Sequence, residues 1–516
     1  MIAAAQTRAT DSVTPATWTG FAAMCVGMFM AVLDVQVVAT SLPTIQQALA
    51  IAKDKMSWIQ TAYLIAEIIA IPLTGFLTRA LTMRGLFMAS IAIFTLASIG
   101  CAASKGFGSL IAWRIVQGFS GGTLIPAVFS AVFLLFPVRL QAAATVIAGV
   151  LAVLAPTLGL VVGGWITSAY SWPWLFLINV VPGITAALLA WSSLPRDNPH
   201  FEEIRRLDLR ALGLGAFALA ALEIALKAAP DRGWTSPLVA QLLGLCLIAA
   251  AAFIYQTLQS QNPLVELRTF RNRNFLIGCL LSFVLGIGLF GSVYLMPIFL
   301  AYVRGHDALE IGRTMLVTGV AQLVAAPIAV LLVRRFDERV LAAFGFLLFA
   351  IGLGLSFAQT KDTDFGEMLW PQVVRGSAVM LCILAPTELA LGQLPKRVIS
   401  DASGLFNMMR NLGGAIGIAV IDTIVYGHAA GHARAIVNGL MDGDLDTAKL
   451  LGIPADALGP ALLDPQKQAM LAPLIERVAY VQAVNDAWAW VALITLAVIV
   501  VVPFAGLTPK SQRFPP

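Results

Sequence analysis

Long apolar runs separated by short polar segments make up most of this 516-residue chain. A run of about 20 apolar residues is long enough to cross a bilayer as a helix. By that measure the pattern predicts fourteen spanning helices and an all-α membrane protein. The predicted spans lie near residues 18–42, 57–78, 85–104, 109–136, 141–168, 173–194, 209–229, 236–256, 275–302, 309–333, 340–358, 367–392, 402–427 and 486–508. The first run is too long for the apolar region of a secretory signal, so we expect it to remain as a helix.

The composition supports this class of protein. Hydrophobic residues make up 59% of the chain and charged residues 12%, against about 25% charged residues in soluble domains. The net charge of +5 does not indicate nucleic-acid binding, because the basic residues lie in loops between apolar runs. An even number of spans puts both termini on one side of the membrane. Segments on that side hold 18 Lys and Arg against 11 on the other, which predicts that both termini are cytoplasmic.

The sequence repeats itself over a distance of half its length. Three matches keep their order at offsets of about 255 to 260, namely residues 71–87 with 326–342, Arg114 and Pro126 with Arg375 and Pro386, and residues 137–139 with 395–397. We therefore expect two homologous six-helix halves with helices 7 and 8 inserted between them. Such repeats place the substrate near the middle of the membrane, between the halves.

The repeat also sets the predicted domain boundaries. They are a cytoplasmic N-terminal segment 1–17, an N-terminal half 18–194, inserted helices with flanking loops 195–274, a C-terminal half 275–508 that includes an outer loop 428–485, and a cytoplasmic tail 509–516.

The stretch 113–165 carries the strongest functional signal. A charge inside a spanning helix costs roughly 2.5–3.5 kcal/mol, so Arg114 is expected to face a partner or a wet cavity. The next span contains helix-bending and small residues, namely Pro156, Gly159, Gly163 and Gly164. Gly and Pro at this density favour either close helix packing or a moving transport pathway.

Several motifs resemble those of the major facilitator superfamily, and in particular its fourteen-helix drug:proton antiporters of the EmrB/QacA type. Residues 114–118 (RIVQG) resemble the R-x-x-Q-G motif of the fourth helix. Residues 159–164 (GLVVGG) resemble the G-P-x-x-G-G antiporter motif, with Leu160 in the place of proline. Residues 33–43 (LDVQVVATSLP) resemble the L-D-x-T-I-V-N-V-A-L-P motif of the first helix, although Gln36 and Ala39 depart from it. Residues 75–79 (GFLTR) and 171–179 (SWPWLFLIN) resemble further segments of the EmrB-like branch.

The resemblance implies a function, an energy source and partners. It implies a proton-coupled antiporter that exports hydrophobic or amphipathic compounds across a bacterial inner membrane. The energy source would be the proton gradient, with no cofactor. The EmrB-like branch further implies a periplasmic membrane-fusion protein and an outer-membrane channel as partners. The same fold also hosts proton-linked importers of small organic solutes, and that alternative stays open.

Five carboxylates fall within predicted spans, namely Asp34, Glu67, Glu223, Glu388 and Asp422. Each is costly there unless it is protonated, paired or hydrated. A proton-driven exporter needs such a group, protonated from one side and deprotonated on the other. Asp34 is the leading candidate because it lies in mid-helix and on the family motif. Glu67, Arg114 and Asp422 complete the predicted proton-coupling set, and a structurally hydrogen-bonded carboxyl is the alternative.

Polar stripes on two spans predict a substrate cavity. Gln60, Tyr63 and Glu67 share one face of helix 2, and Asn407 and Asn411 share one face of helix 13. Hydrogen bonding between helices is the alternative. The predicted substrate-binding residues are Gln36, Gln60, Tyr63, Gln117, Tyr294, Glu388, Asn407 and Asn411. If Asp34 serves the proton, the acids Glu67, Glu388 and Asp422 are surplus around this cavity and favour a cationic substrate, whereas Arg375 and Arg410 leave an organic anion open.

Other kinds of site find less support. The five cysteines lie in or beside apolar runs without metal-ligand spacing. His428 and His432 have helical spacing, but no cysteine or carboxylate cluster is near them in the sequence, so we predict no metal site. We find no Ser-His-Asp constellation and no phosphate-binding loop, so we do not expect an enzyme. The intramembrane acids and the repeat also disfavour a non-transporting sensor or structural protein.

Overall fold

A computed structural model describes residues 14–51, 55, 58–199, 202, 208–260, 263–453 and 465–506. The predicted tail 509–516 and residues 1–13 of the predicted N-terminal segment lie outside the described residues, as does the side chain of Leu160. The regular elements of the described part are all helical. In chain order the α-helices are α1 Pro15–Ala48, α2 Trp58–Ala102, α3 Phe107–Leu135, α4 Val138–Ala169, α5 Trp174–Leu177, α6 Val180–Ser193, α7 Leu209–Arg232, α8 Pro237–Gln259, α9 Arg273–Phe299, α10 Ala308–Arg335, α11 Glu338–Gly354, α12 Phe365–Leu391, α13 Lys396–Met441, α14 Leu445–Leu451 and α15 Pro465–Ala497.

Each predicted span overlaps one or two of these helices, and residues 57, 507 and 508 of the predicted spans lie outside the described residues. Among the described residues, 12 helical segments are long and apolar enough to cross a membrane. One of them is the 45-residue α2, in which the left-handed backbone of Thr82 (φ 69°) separates two predicted spans. The 17-residue α11 covers the predicted span 340–358 but is shorter than the other candidates. The short α5 and α6 together cover the predicted span 173–194. When α2 is counted as two spans and α11 is added, the described residues form the expected all-α membrane protein with fourteen spans.

The outer segment 428–485 was expected to be a loop, yet much of it is helical. Helix α13 continues to Met441, α14 follows, and α15 begins at Pro465, well before the predicted start at 486. A small core holds these extensions together, made of Ile436, Leu440, Leu451, Ile475, Val478 and Ala479. The apolar residues form stripes among polar ones, as in a helix in water. A search for continuous apolar runs does not detect such a pattern.

The two halves repeat each other in their helix positions. Three helices of the second half begin 258 residues after their counterparts, as shown by Pro15 and Arg273, Phe107 and Phe365, and Val138 and Lys396. The inserted helices α7 and α8 pack on each other, and α7 also contacts α2 and α13. The residue boundaries of the predicted domains stay a prediction.

The halves meet closely at the end of the bundle that holds the loops before α4 and α13. Helix α13 contacts α2 and α3 there. Ser403 on α13 donates a hydrogen bond to the carbonyl oxygen of Pro126 over 3.0 Å. A β-carbon at Gly404 would lie only 3.0 Å from the carbonyl oxygen of Ile71. These small residues allow the two halves to close on each other at this end.

Candidate functional site

Asp34 lies in the middle of α1 and has no solvent exposure. The Nη1 atom of Arg114, on α3, donates a hydrogen bond to its Oδ2 atom over 2.5 Å. Arg114 is also fully buried. The structure thus pairs two of the four charged residues that the sequence analysis placed in the proton-coupling set, Asp34 and Arg114. Removing either member of a buried ion pair leaves an uncompensated charge and costs about 3–5 kcal/mol.

Two amides complete the surroundings of the Asp34 carboxylate. Gln117 donates to Oδ1 over 3.0 Å and Asn179 donates to the same oxygen over 2.8 Å. Gln117 also accepts a hydrogen bond from Arg114 over 2.7 Å and donates to the hydroxyl of Ser98 over 2.9 Å. The network therefore joins α1, α2, α3 and the residue before α6. We call these five residues the Asp34 network.

Tyr63 closes the network from the side of α2. Its ring lies 4.3 Å from the guanidinium carbon of Arg114, close enough for a cation–π interaction. Its hydroxyl donates to the carbonyl oxygen of Ala31 over 3.1 Å, and the Arg114 Nε atom donates to the carbonyl oxygen of Ile59 over 3.1 Å. Arg114, Gln117 and Tyr63 thus make contacts between helices of the N-terminal half. Hydrogen bonding between helices was the alternative to a substrate cavity for the polar stripes.

Glycines bring the backbones of this region together. A β-carbon at Gly122 would lie 2.5 Å from the carbonyl oxygen of Glu67, so α2 and α3 could not approach as closely with any larger residue. A β-carbon at Gly159 would lie 3.0 Å from the carbonyl oxygen of Leu33, directly beside Asp34 in sequence. Gly159 therefore packs α4 against the helix that carries the carboxylate. The other members of the predicted conformational motif lie on the same helix: Pro156 and Gly163 are buried and Gly164 is half-buried.

The remaining predicted residues of the N-terminal half are not members of this network, although Glu67 lies close enough to interact electrostatically with Arg114 and Asp34. Glu67 is 7% exposed and lies one helical turn beyond Tyr63. Gln36 and Gln60 are half-buried on α1 and α2. No hydrogen bond from these three residues to Asp34 or Arg114 occurs in the described structure. Their role in substrate binding stays a prediction.

The predicted residues of the C-terminal half form contacts of their own. The Tyr294 hydroxyl donates a hydrogen bond to Asp422, which links α9 with α13. Arg410 donates to the side-chain oxygen of Asn407, and both residues are buried. Glu388 is buried on α12, whereas Asn411 is half-buried on α13.

An ion pair between the halves involves Arg79, which stands on α2 just before the break at Thr82. Its Nη1 atom contacts the carboxylate of Asp401 at the start of α13. Asp401 is 3% exposed and Arg79 is 32% exposed. The pair lies at the end where the halves are in close contact. It is thus placed to hold that end closed.

Sequence reasoning missed two of these partners. Asn179 belongs to the motif at 171–179, but only its resemblance to a family segment drew attention to it. Asp401 immediately precedes the predicted span 402–427, so it is not among the five carboxylates placed within spans. Because both make contacts with residues more than 140 positions away, local patterns do not reveal their partners.

The two outer histidines have a carboxylate partner that the sequence analysis did not find. The Oδ2 atom of Asp486, on α15, lies 2.8 Å from a ring nitrogen of His428 and 2.8 Å from one of His432. These three side chains offer ligand types that bind zinc. They are half-exposed or exposed, and both nitrogen atoms already share one oxygen. Folding therefore brings a distant carboxylate to the pair, which the sequence analysis did not foresee, and the expected absence of a metal site stays a prediction.

Comparisons with known proteins agree with this architecture. The family model for the Major Facilitator Superfamily matches residues 24–418. The chain is 36% identical to the colistin resistance protein EmrB of Acinetobacter baumannii, over 81% of this chain and 82% of that protein. It is 31% identical to the multidrug export protein EmrB of Escherichia coli, over 78% of this chain and 79% of that protein. Its fold is similar to that of the human organic anion transporter MFSD10, with a TM-score of 0.61 and 14% identity over 94% of this chain and all of that one.

Proposed function

Because this chain belongs to the major facilitator superfamily, we propose that it is a proton-coupled antiporter that exports hydrophobic or amphipathic toxic compounds. The observation that carries this proposal is the buried Asp34 network, in which a carboxylate in mid-membrane is held by a guanidinium and two amides. The names of its relatives, which refer to multidrug export and colistin resistance, support the class of cargo.

The network offers a means of coupling the protonation of Asp34 to the conformation of the protein. In the present conformation the ionised Asp34 is stabilised by Arg114 and the two amides. A proton on Asp34 removes that ion pair and leaves Arg114 with neutral neighbours, namely Gln117, the carbonyl oxygen of Ile59 and the Tyr63 ring. Since the partners stand on different helices, this state favours another arrangement of α1 relative to α3. Two protonation states that favour different conformations are what an antiporter requires.

The proton gradient is the proposed energy source, and the proposal needs no cofactor and no enzymatic activity. We place the protein in a bacterial inner membrane with both termini in the cytoplasm, as the distribution of basic residues favours. The helical extension of α13, α14 and α15 would then lie on the periplasmic side. That position supports the proposed association with a membrane-fusion protein and an outer-membrane channel.

Transport direction tests the proposal. Inverted membrane vesicles that contain the protein are expected to accumulate a fluorescent toxic compound only when the vesicle interior is acid, and a protonophore should abolish the accumulation. Vesicles without the protein are the control, and a panel of toxic compounds tested on cells with and without the protein identifies suitable cargo. Accumulation in right-side-out vesicles instead would show the importer.

Substitution of the buried Glu67 and Glu388 and of the half-buried Asp422, which lie outside the Asp34 network, tests the charge of the exported compound. We expect Glu67→Gln, Glu388→Gln and Asp422→Asn each to lower resistance to a lipophilic cation more than resistance to a neutral compound. One charge pair in a site of intermediate polarity contributes roughly 1–3 kcal/mol, which is about 5- to 150-fold in affinity. The measurement is the inhibitory concentration of both compounds for cells that carry each variant.

The exposed Glu476, on the outer part of α15, offers a matched control. Glu476→Gln removes the same charge without altering the proposed cavity and should leave both resistances unchanged. Equal losses for the cation and the neutral compound in the three cavity variants would contradict a preference for cations.

A further inference from the structure

A small, partly enclosed space lies between α9, α10 and α12 in the C-terminal half. Polar side chains from all three helices line it, namely Ser292, Thr318, Gln322 and Arg375. The free volume is about that of one water molecule. This space has no part in the proton coupling proposed above, because the Asp34 network lies in the other half.

Arg375 is a buried cation without a counter-ion. It is 3% exposed, and among the described residues no carboxylate oxygen lies within 4.0 Å of it. Its Nη2 atom contacts the Thr318 hydroxyl at 3.3 Å and the sulfur of Met296 at 3.6 Å, and the ring of Trp488 lies 5.4 Å away. Its Nε atom has no hydrogen-bond partner. A buried charge of this kind is strongly unfavourable unless an opposite charge joins it.

The other side chains around Arg375 also offer unused donors. Gln322 has no solvent exposure, and neither its amide nitrogen nor its oxygen has a partner. The Thr318 hydroxyl donates to the side-chain oxygen of Gln372 over 3.0 Å, while the amide nitrogen of Gln372 has no partner. Buried polar groups are rarely left unsatisfied. Here the unsatisfied atoms are mostly donors, and donors are what an anion requires.

Comparison of the two repeats shows which charge the C-terminal half lacks beside Arg375. An offset of 258 residues, at which three pairs of helices begin, places Ser292 at the position of Asp34. It also places Gln372 and Arg375 at the positions of Arg114 and Gln117, so the helix positions correct the match of Arg114 with Arg375 expected from the sequence by one helical turn. Each half therefore carries an arginine and a glutamine one turn apart, in opposite order. Only the N-terminal half carries the carboxylate, and the C-terminal half has a hydroxyl in its place.

We propose that the space between Ser292, Gln322 and Arg375 binds one small monovalent anion, which neutralises Arg375 as Asp34 neutralises Arg114. The shared chemistry is a single negative charge that accepts hydrogen bonds, as in a halide ion or in the carboxylate of an organic acid. A water molecule fits the same space but does not neutralise the guanidinium. Because anions bind here without a proton gradient, failure of this proposal and failure of proton-coupled export are distinguishable.

The test measures thermal unfolding of the purified protein in detergent by tryptophan fluorescence. The buffer contains gluconate, an anion too large for the space, and chloride, formate or octanoate replaces it at constant ionic strength. We expect a saturable rise of the unfolding midpoint by about 2–4 °C with the anion that binds. A response to chloride and formate identifies a small free anion, whereas a response to octanoate alone identifies the carboxylate of an organic acid.

Two variants locate the site. Arg375→Gln should lose the response, because the charge is gone. Ser292→Asp supplies a carboxylate at the repeat-related position, so it should unfold at a higher temperature in gluconate and show no further rise. Arg434→Gln removes an exposed arginine on the outer part of α13 and should retain the full response. No response to any anion, or a response that persists in both Arg375→Gln and Ser292→Asp, would overturn the proposal.

Discussion

An Asp34→Asn protein is expected to insert and fold but to lose proton-coupled export by roughly 100-fold or more. The amide has nearly the shape of the carboxylate, so the packing of α1 is preserved. It cannot alternate between a charged and a neutral form, and it leaves Arg114 without its anionic partner. The loss of that partner destabilises the present conformation by about 3–5 kcal/mol. The substitution therefore shifts the equilibrium between conformations in addition to removing the proton-binding group.

The measurement is proton movement driven by substrate in proteoliposomes, together with the amount of protein recovered in the membrane. Asp444→Asn is the matched control, since Asp444 lies outside the membrane at the start of α14. Asp34→Glu should retain part of the activity, because it keeps the titratable group. Near-normal proton movement in Asp34→Asn would remove Asp34 from the coupling mechanism.

The second large effect is expected at the ion pair between the halves. Arg79→Asp places two carboxylates together at the closed end and should open it, with a severe loss of transport. The side chain of Arg79 is 32% exposed, so the attraction is partly screened, and we expect a contribution of about 1–3 kcal/mol. A change of that size alters a conformational equilibrium about 5- to 150-fold. The exchanged pair, Arg79→Asp with Asp401→Arg, should restore both closure and transport.

Spin labels on cysteines introduced at Val138 and Lys396 report this opening directly, because both sites are exposed and stand in different halves at the same end. The five native cysteines are buried and should label poorly. We expect a longer distance in Arg79→Asp and the original distance in the exchanged pair. An unchanged distance with normal transport in the single variant would show that the ion pair does not control this end.

The sequence alone determined the class of protein and the path of the chain through the membrane. Spanning helices satisfy their backbone hydrogen bonds internally, so each apolar run predicts its own element. The break at Thr82 agrees with this, because the sequence predicts the two apolar runs of α2 as separate spans. The resemblance at Arg114 and Gln117 and the repeat at a nearly constant offset identified the family and the two halves. Asp34 and Arg114 both stand out in the sequence as charges within apolar runs.

Only the tertiary structure decided which side chains meet. The carboxylate of Asp34 pairs with a residue 80 positions away, Asp401 with one 322 positions away, and Asp486 with two histidines more than 50 positions away. Such contacts depend on how helices cross and rotate, which the small residues at the crossings control and which no local pattern contains. The isolation of Arg375 has the same origin. An unpaired charge is visible only when every neighbour from the surrounding helices is known.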